Sequence, residues 1–303
     1  MHIGSMFPLL LALVFAPLLL GIVNRTKAIG AGRVGQPLFQ PYYDIWKLLQ
    51  KGAVYSRTTT WVFRAGPLVG LGAVLVALTM LPFGGVPALV AFPGDLFVFT
   101  YLLGLLRFFT VIAALDTGSS FEGMGASREV TFSALAEPAL FLGLAAVARQ
   151  TGTFSLSVML LGITQLTWMQ AGPILLLLTA AFLVVFLAEN ARIPVDDPTT
   201  HLELTMIHEV MVLDHSGPDF AFILYSSALK FWLLGTLLVS ICVPVRTGFL
   251  VCDVVAAALG MLGLAVLTGL IESSMARLRL LRVPQLLVGA SVLSALALML
   301  VLR

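Results

Sequence analysis

The stretch that decides the fold is residues 188–219, AENARIPVDDPTTHLELTMIHEVMVLDHSGPD. It is rich in acids and histidines, yet apolar runs adjoin it on both sides, from Ile174 to Ala188 and from Phe220 onward. Charged groups are costly to hold close to hydrocarbon. The pattern indicates a polar loop between two membrane spans, which is either simply solvated or handles protons or docks a partner.

The composition of the whole chain supports a membrane protein. Of its 303 residues, 59% are hydrophobic and 11% are charged, whereas soluble domains carry about 25% charged residues. The mean hydropathy is +1.04. Runs of about 20 apolar residues recur, and such a run spans the roughly 30 Å hydrocarbon core as a helix. A β-barrel would need alternating polarity, which the sequence lacks. We therefore predict an all-α, polytopic membrane protein.

The hydropathy pattern predicts about eight spans in one domain, residues 1–303. Their expected bounds are 5–23, 61–81, 96–116, 131–149, 172–189, 220–242, 249–271 and 283–302. Positive charges follow the first apolar run instead of preceding it, which is unlike a cleavable signal peptide. This order favours a first span with the N-terminus outside.

Lysines and arginines concentrate in the loops on one side of the predicted bundle, which are residues 24–60, 117–130, 190–219 and 272–282. By the positive-inside rule this side is cytoplasmic, so we expect a multi-pass protein of the cell (inner) membrane. Acids crowd the same side, and a surface of mixed charge suits the docking of soluble subunits. In the first loop, Tyr42–Gln50 predicts a short amphipathic helix that either anchors the loop at the lipid headgroups or lines the mouth of a cavity.

Several functions are disfavoured by composition. The net charge of +2 gives no general attraction to nucleic acid. An iron–sulfur cluster needs about four thiolates, whereas this chain has two cysteines, Cys242 and Cys252, which we expect to be buried free thiols. His201 and His208 share a face if their segment is helical, but they do not form an H-E-x-x-H motif. Hydrogen bonding to carboxylates, or proton shuttling, is favoured over zinc binding.

Ionisable side chains inside the predicted spans are candidate parts of an ion path. Four of them lie at or below the membrane surface, namely Arg107, Glu137, Glu189 and Lys230. The alternative is a static ion pair that fixes the register of the helices.

The loops resemble those of a known family. Residues 188–198, AENARIPVDDP, look like the signature that follows the fifth span of the eight-helix heel subunit of respiratory complex I. Residues 32–48 are similar to that family's first loop, and residues 118–137 to its third. Asp214 stands two residues before Ser-Gly, as an acid does in the family. The resemblance covers all the cytoplasmic loops except the short last one.

One departure from the pattern of the complex I subunits indicates which branch of the family the chain resembles. Between Glu203 and Asp214 the chain is about three residues longer than the quinone-reducing members of the family. The sequence of this segment resembles that of the membrane subunit of energy-converting nickel–iron hydrogenases of the formate hydrogenlyase type. That branch has no quinone, so the cavity that holds quinone in complex I is expected to be shrunken and filled with water. The resemblance implies a non-catalytic subunit without a cofactor of its own, since the nickel–iron (NiFe) centre and the iron–sulfur clusters would lie in partner subunits. Those partners would be hydrogenase large and small subunits, a ferredoxin-like iron–sulfur subunit and antiporter-like membrane subunits.

The family also implies roles for individual residues. Glu137 and Glu189 would begin a proton path, continued by Arg107 and Lys230. Glu203, Asp214 and Asp196 would face the soluble partners, with the first two also on the path, and Arg128 and Arg192 would brace these carboxylates. Further polar residues of the loop are assigned to partner docking, and these are Asp197, His201, His208 and Glu209.

Two other functions stay open at this stage. The chain could be a complex I heel subunit that forms a quinone site, or a stand-alone secondary transporter. Transporters often show inverted repeats and broken helices, neither of which is visible here. A purely structural anchor without an ion path is a further alternative.

Overall fold

The computed structural model describes residues 5–196 and 206–303. Within them, ten α-helices follow in chain order: α1 (Met6–Gly30), α2 (Gln40–Leu49), α3 (Trp61–Thr79), α4 (Asp95–Asp116), α5 (Ser120–Thr151), α6 (Leu156–Leu161), α7 (Gln165–Glu189), α8 (Gly217–Cys242), α9 (Leu250–Ser274) and α10 (Val283–Leu302). All except α2 and α6 are long and apolar enough to cross a membrane. The predicted all-α fold with eight spans is confirmed.

Local sequence explains where several helices begin and end. The Thr60 hydroxyl accepts a hydrogen bond from the Val62 amide and caps α3. Thr164 and Thr167 form a reciprocal capping box at the start of α7. Gly152 ends α5 at a φ of +73°, which is a conformation that glycine adopts without steric cost. These caps satisfy backbone groups that the ends of helices leave without partners.

Three predicted boundaries were wrong by more than a turn. Helix α1 ends at Gly30 instead of residue 23. Helix α5 begins at Ser120 instead of residue 131, so the expected loop 117–130 shrinks to residues 117–119. Helix α7 begins at Gln165 instead of residue 172, and it continues through a kink at Ala171, two residues before Pro173. Hydropathy missed these turns because polar residues, or a Gly-Pro pair, interrupt the apolar signal while the helix itself persists.

A proline in α1 organises its neighbours. Pro17 has no amide hydrogen, so the carbonyl of Leu13 loses its helical donor. The Tyr225 hydroxyl from α8 donates to that carbonyl at 2.9 Å, and the Tyr42 hydroxyl from α2 donates to the adjacent carbonyl of Val14. Both tyrosines therefore fasten their helices to the middle of α1.

Helix α2 begins two residues before the predicted start, and its aromatic face points away from the protein. Tyr43 and Trp46 are 61% and 65% exposed. An outward aromatic face with Lys47 and Lys51 nearby suits a helix that lies at the headgroup level.

Helix α8 lies at the centre of the bundle. Most of its side chains are buried, and it packs against α1, α3, α7 and α9. We call one end of the bundle the charged end, and it holds the close of α1, α4, α7 and α9 together with the loop before α8. At the opposite end the Asp95 carboxylate accepts hydrogen bonds from Ser155 and Leu156 and fixes α6. Cys242 and Cys252 are free, but Cys252 is exposed, so the expectation of two buried thiols was wrong.

Candidate ion-handling site

Five charged side chains from four helices meet near the charged end, and we call them the charge cluster. Arg107 of α4 donates to Glu137 of α5 and to Glu189 of α7. Its Nε lies 3.7 Å from Oε1 of Glu129, also on α5. Lys230 of α8 places Nζ 3.1 Å from Oε2 of Glu189. Each charge thus has an opposite charge beside it, as burial in a membrane requires.

The charge cluster holds three carboxylates and two cations. If all five groups are ionised, their formal sum is −1. An uncompensated charge in a low-dielectric interior is expensive, and uptake of one proton removes it. A cluster of this composition can take up one proton to become neutral.

Burial differs along the cluster. The side chain of Glu189 is 6% exposed, whereas that of Glu137 is 47% exposed. Glu137 therefore lies on the outer surface of the bundle, between α4 and α5, and Glu189 lies in its interior. The cluster connects the inside of the protein with a surface that a neighbouring protein could cover.

The structure brings together the four residues that the sequence singled out inside the spans. Glu129 is a fifth member that the sequence analysis missed, because it was assigned to a loop. It lies eight residues, or about two helical turns, before Glu137. The spacing of Glu129 and Glu137 on one helix would have indicated this if the predicted start of α5 had been Ser120.

A cavity of about 50 Å³, which we call the inner cavity, adjoins the charge cluster. Arg107, Glu129, Glu189 and Lys230 line it. Three other polar atoms on its wall are buried without a hydrogen-bond partner among the described residues, and they are Oδ1 of Asn190, Nδ1 of His215 and Oγ of Ser226. Buried polar atoms need partners, and a water occupies about 30 Å³. The inner cavity thus has the size and the chemistry to hold water beside the cluster.

Two histidines of the loop before α8 also line the inner cavity. Burial lowers the pKa of His215 to about 4, and its ring stacks on Phe63 with the centroids 3.9 Å apart. The pKa of His208 is likewise lowered to about 4, first by burial and then by the positive charge of Lys230. Both rings are therefore neutral at pH 7.

The loop after α7 is anchored to α9 and α1 by a buried ion network. Nη1 of Arg192 lies 3.2 Å from Oε1 of Glu272, and Nζ of Lys27 lies 3.5 Å from Oε2 of the same carboxylate. Glu272 is almost completely buried. Because one carboxylate joins α1, α9 and the loop, it fixes the start of the loop relative to the bundle.

A second anchor joins the residues of the loop on either side of residues 197–205. The Asp196 carboxylate receives Nη2 of Arg277 at 3.0 Å. Its other oxygen accepts the backbone amides of Ile207 and His208, each at 3.1 Å. The Leu278 amide also donates to the carbonyl of Pro194 at 3.0 Å. The short segment after α9 thereby positions the loop that carries His208.

One of these contacts differs from the expected bracing. Arg192 was expected to hold a loop carboxylate, but it pairs with Glu272 of α9. Arg128, for which the same was expected, donates to the carbonyl of Met206 at 2.8 Å and so contacts the loop. The partner of Asp196 is Arg277, which the sequence analysis did not single out. The predictions for Asp197, His201 and Glu203 fall outside the described residues.

Asp214 lies apart from the charge cluster. It is exposed, and its backbone amide donates to Oε1 of Glu122 at 3.1 Å. Glu122 is 1% exposed and was not singled out from the sequence, again because α5 was begun too late. The expected place of Asp214 on the same path as Glu189 has no direct contact to support it.

A second cavity of about 250 Å³, which we call the loop cavity, lies between α1, α2, α8 and the loop. Asp44, Arg192, Asp196, His208 and Glu209 give it a polar wall. Apolar side chains of α1, α2, α8 and the loop also line it, and they include Leu20, Ile45 and Ile223. Among residues 5–196 and 206–303, no three His, Cys, Asp or Glu side chains are grouped so that they could hold a metal ion.

Membrane-crossing helices around a buried network of ionisable groups define a polytopic helical membrane protein with a charged interior. Comparison with known proteins gives the family. The NADH dehydrogenase family model matches residues 4–303, and the chain belongs to this family. The resemblance inferred from the loops is thereby confirmed.

Individual relatives show more specific similarities. The chain is 34% identical to formate hydrogenlyase subunit 4 of Escherichia coli over 285 residues, which are 91% of each chain. It is 32% identical to hydrogenase-4 component C of the same organism, covering 89% of this chain and 86% of the relative. One subunit of the NADH-quinone oxidoreductase of Syntrophotalea carbinolica is 26% identical, covering 69% and 65% of the two chains.

A solved structure shares the fold. A chain of the membrane-bound sulfane sulfur reductase, described as an archaeal respiratory membrane complex, superimposes with a TM-score of 0.83 at 20% identity. The match covers 99% of this chain and all of that one. At this identity the likeness concerns the fold alone.

Proposed function

We propose that this chain is a membrane-anchoring, proton-conducting subunit of a membrane-bound hydrogenase complex. It couples redox chemistry in a peripheral arm to ion translocation. The observation that carries the proposal is the charge cluster, in which three carboxylates share two cations beside a polar cavity. The names of the two relatives above 30% identity support the assignment to hydrogenase complexes.

In this proposal, the charged end faces the cytoplasm of the cell and the N-terminus lies outside the inner membrane. The hydrogenase large and small subunits and a ferredoxin-like iron–sulfur subunit dock on the charged end and carry the NiFe and iron–sulfur centres. The mixed charges of that end favour such docking. Antiporter-like subunits lie in the membrane beside the chain.

Protons move through the cluster from its buried carboxylate, Glu189, to its exposed carboxylate, Glu137. They reach Glu189 in the interior from the loop, exchange among the carboxylates around Arg107, and leave at Glu137. The Glu137 side chain is 47% exposed on a membrane-crossing helix, so a neighbouring membrane subunit must shield it from lipid. Redox changes at the docked arm alter the charge near the loop, and carboxylates a few ångströms from a changed charge shift their proton affinity.

The test compares Glu137→Gln and Glu189→Gln in the native complex, reconstituted in sealed vesicles. Both variants are expected to lower the number of protons pumped per electron while turnover continues. Glu122→Gln is the matched control, because Glu122 is a buried carboxylate of the same helix as Glu137 but does not contact the charge cluster. If both cluster variants pump like the wild type, the proposal is wrong.

A second candidate is a subunit that shapes a quinone site, for which the loop cavity is the place. At about 250 Å³ the cavity is smaller than the roughly 300–1,000 Å³ common for organic ligands, which favours water. Turnover of the purified complex that depends on added quinone would support this candidate over the hydrogenase subunit.

A further inference from the structure

The two cavities share a wall. The residues that line both are Asn190, His208, Val212, Ile223 and Ser227. The inner cavity touches the charge cluster, and the loop cavity touches the charged loop. A proton that moves directly from one cavity into the other crosses this wall.

Among the described residues of that wall, His208 alone has an ionisable side chain. Its backbone amide is held by the Asp196 carboxylate at 3.1 Å, so its position is fixed from the loop side. On the cluster side it is electrostatically coupled to Glu189 of α7 and Lys230 of α8. Arg107 of α4 and Glu129 of α5 line the inner cavity with it.

The chemistry of the ring fits transfer across a wall. A neutral imidazole accepts a hydrogen bond at one nitrogen and donates from the other. It can take a proton on one side and give up a different proton on the other side, so that no charge stays in the buried site. Asn190 and Ser227 cannot take up a proton near neutral pH.

We propose that His208 passes protons between the loop cavity and the inner cavity. One ring nitrogen takes a proton from water in the loop cavity, and the N–H of the other nitrogen breaks and gives its proton to water beside Glu189. The number of protons on the ring is the same before and after. Rotation of the ring, or exchange between its tautomers, then resets it.

This proton transfer rests on the proposed function, and it identifies His208 as the group that supplies protons to the charge cluster. It also assigns His208 a role other than partner docking. The neutral resting state of the ring agrees with it, because the pKa of His208 is lowered to about 4 by burial and by Lys230.

The test uses the complete complex in sealed vesicles and follows membrane potential and hydrogen turnover together. His208→Ala is expected to lower the protons pumped per electron by roughly tenfold or more, which is the scale of a lost acid–base group. Added imidazole should restore part of the loss. 1-Methylimidazole, with one ring nitrogen blocked, should restore less. Glu122→Gln is the control, since Glu122 is a buried ionisable residue that contacts the same loop but lines neither cavity.

A loss that imidazole does not reduce would overturn the proposal, since it indicates a structural role. Should His208→Ala fail to assemble, His208→Gln keeps a polar side chain of similar length but cannot titrate, and normal pumping by this variant also overturns it. Glu189→Gln is measured in parallel. If it loses pumping while His208→Gln retains it, the proton path stands and the histidine step is wrong. If both pump normally, the proposed function itself fails.

Discussion

Nη2 of Arg277 lies 3.0 Å from Oδ1 of Asp196, which joins the segment after α9 to the loop after α7. The same carboxylate accepts the amides of Ile207 and His208. Asp196 is 2% exposed, so its charge depends on these partners. The position of the histidine at the wall between the cavities is therefore set by an arginine 69 residues further along the chain.

Arg277→Ala should destabilise the protein by on the order of 2 kcal/mol, because it removes a cation from a buried carboxylate that keeps its two amide donors. Thermal unfolding of the purified complex measures the change. Arg279→Ala is the control, since Arg279 lies two residues away and is exposed. Adding Asp196→Asn to Arg277→Ala should cost less than the two single changes summed, and strict additivity would contradict the pairing.

Gly125 of α5 marks a close approach to the loop. A Cβ there would lie 2.3 Å from Cγ1 of Val210 and 2.9 Å from the carbonyl oxygen of Ile207, the residue before His208. Gly125→Ala should therefore cost about 1–3 kcal/mol and lower pumping per electron, because the loop must shift.

Gly123 provides the matched control on the same helix, since a Cβ there meets no atom within 4 Å. Gly123→Ala should leave pumping unchanged and raise stability by up to about 1 kcal/mol through helix propensity. Equal behaviour of the two variants in the unfolding and pumping assays would show that the close approach does not matter.

His215 should make the protein less stable in acid. Its pKa is about 6.5 when unfolded and about 4 in the folded protein, where burial lowers it. Between pH 6.5 and 4 the unfolded chain binds a proton that the folded chain excludes, so stability falls as the pH falls through this window. Above pH 6.5 this contribution is fully present.

His215→Phe keeps a ring on Phe63 and removes the titration. The variant should match the wild type at pH 7.5 and be more stable by roughly 1–3 kcal/mol near pH 4.5. Unfolding temperatures at the two pH values measure the difference. An equal loss of stability by both proteins on acidification would rule out His215 as a source.

The hydrogen bond from Tyr225 should stabilise the protein, because Pro17 leaves the Leu13 carbonyl without a helical donor. Tyr225→Phe removes the donor to the Leu13 carbonyl and should cost about 0.5–1.5 kcal/mol. In a Pro17→Ala background the new amide can donate to that carbonyl, so the same tyrosine change should cost less. A double-mutant cycle measures this coupling, and a coupling energy of zero would disprove the arrangement.

The sequence predicted much of the fold for a simple reason. A span must be long and apolar enough to cross hydrocarbon, and hydropathy reads this property directly. It failed at the start of α5, where polar residues such as Glu122 and Glu129 continue the helix beyond the apolar run. Burial of those residues comes from the loop packed on them, and no local pattern records that packing.

The candidate site was predicted in part. Arg107, Glu137, Glu189 and Lys230 stood out because ionisable groups are costly in a membrane wherever they lie. The partner of Arg192 was predicted wrongly, because its pairing with Glu272 depends on how α9 is placed beside the loop.

The sequence by itself determined that the chain is a polytopic helical membrane protein and which ionisable side chains its spans contain, because both follow from composition and helix length. The tertiary structure decided which charges meet, as with Glu189 and Lys230, and where the cavities lie. The physical reason is that an ion pair between distant helices depends on the rotation and packing of each helix, which arise only when all the helices are assembled together.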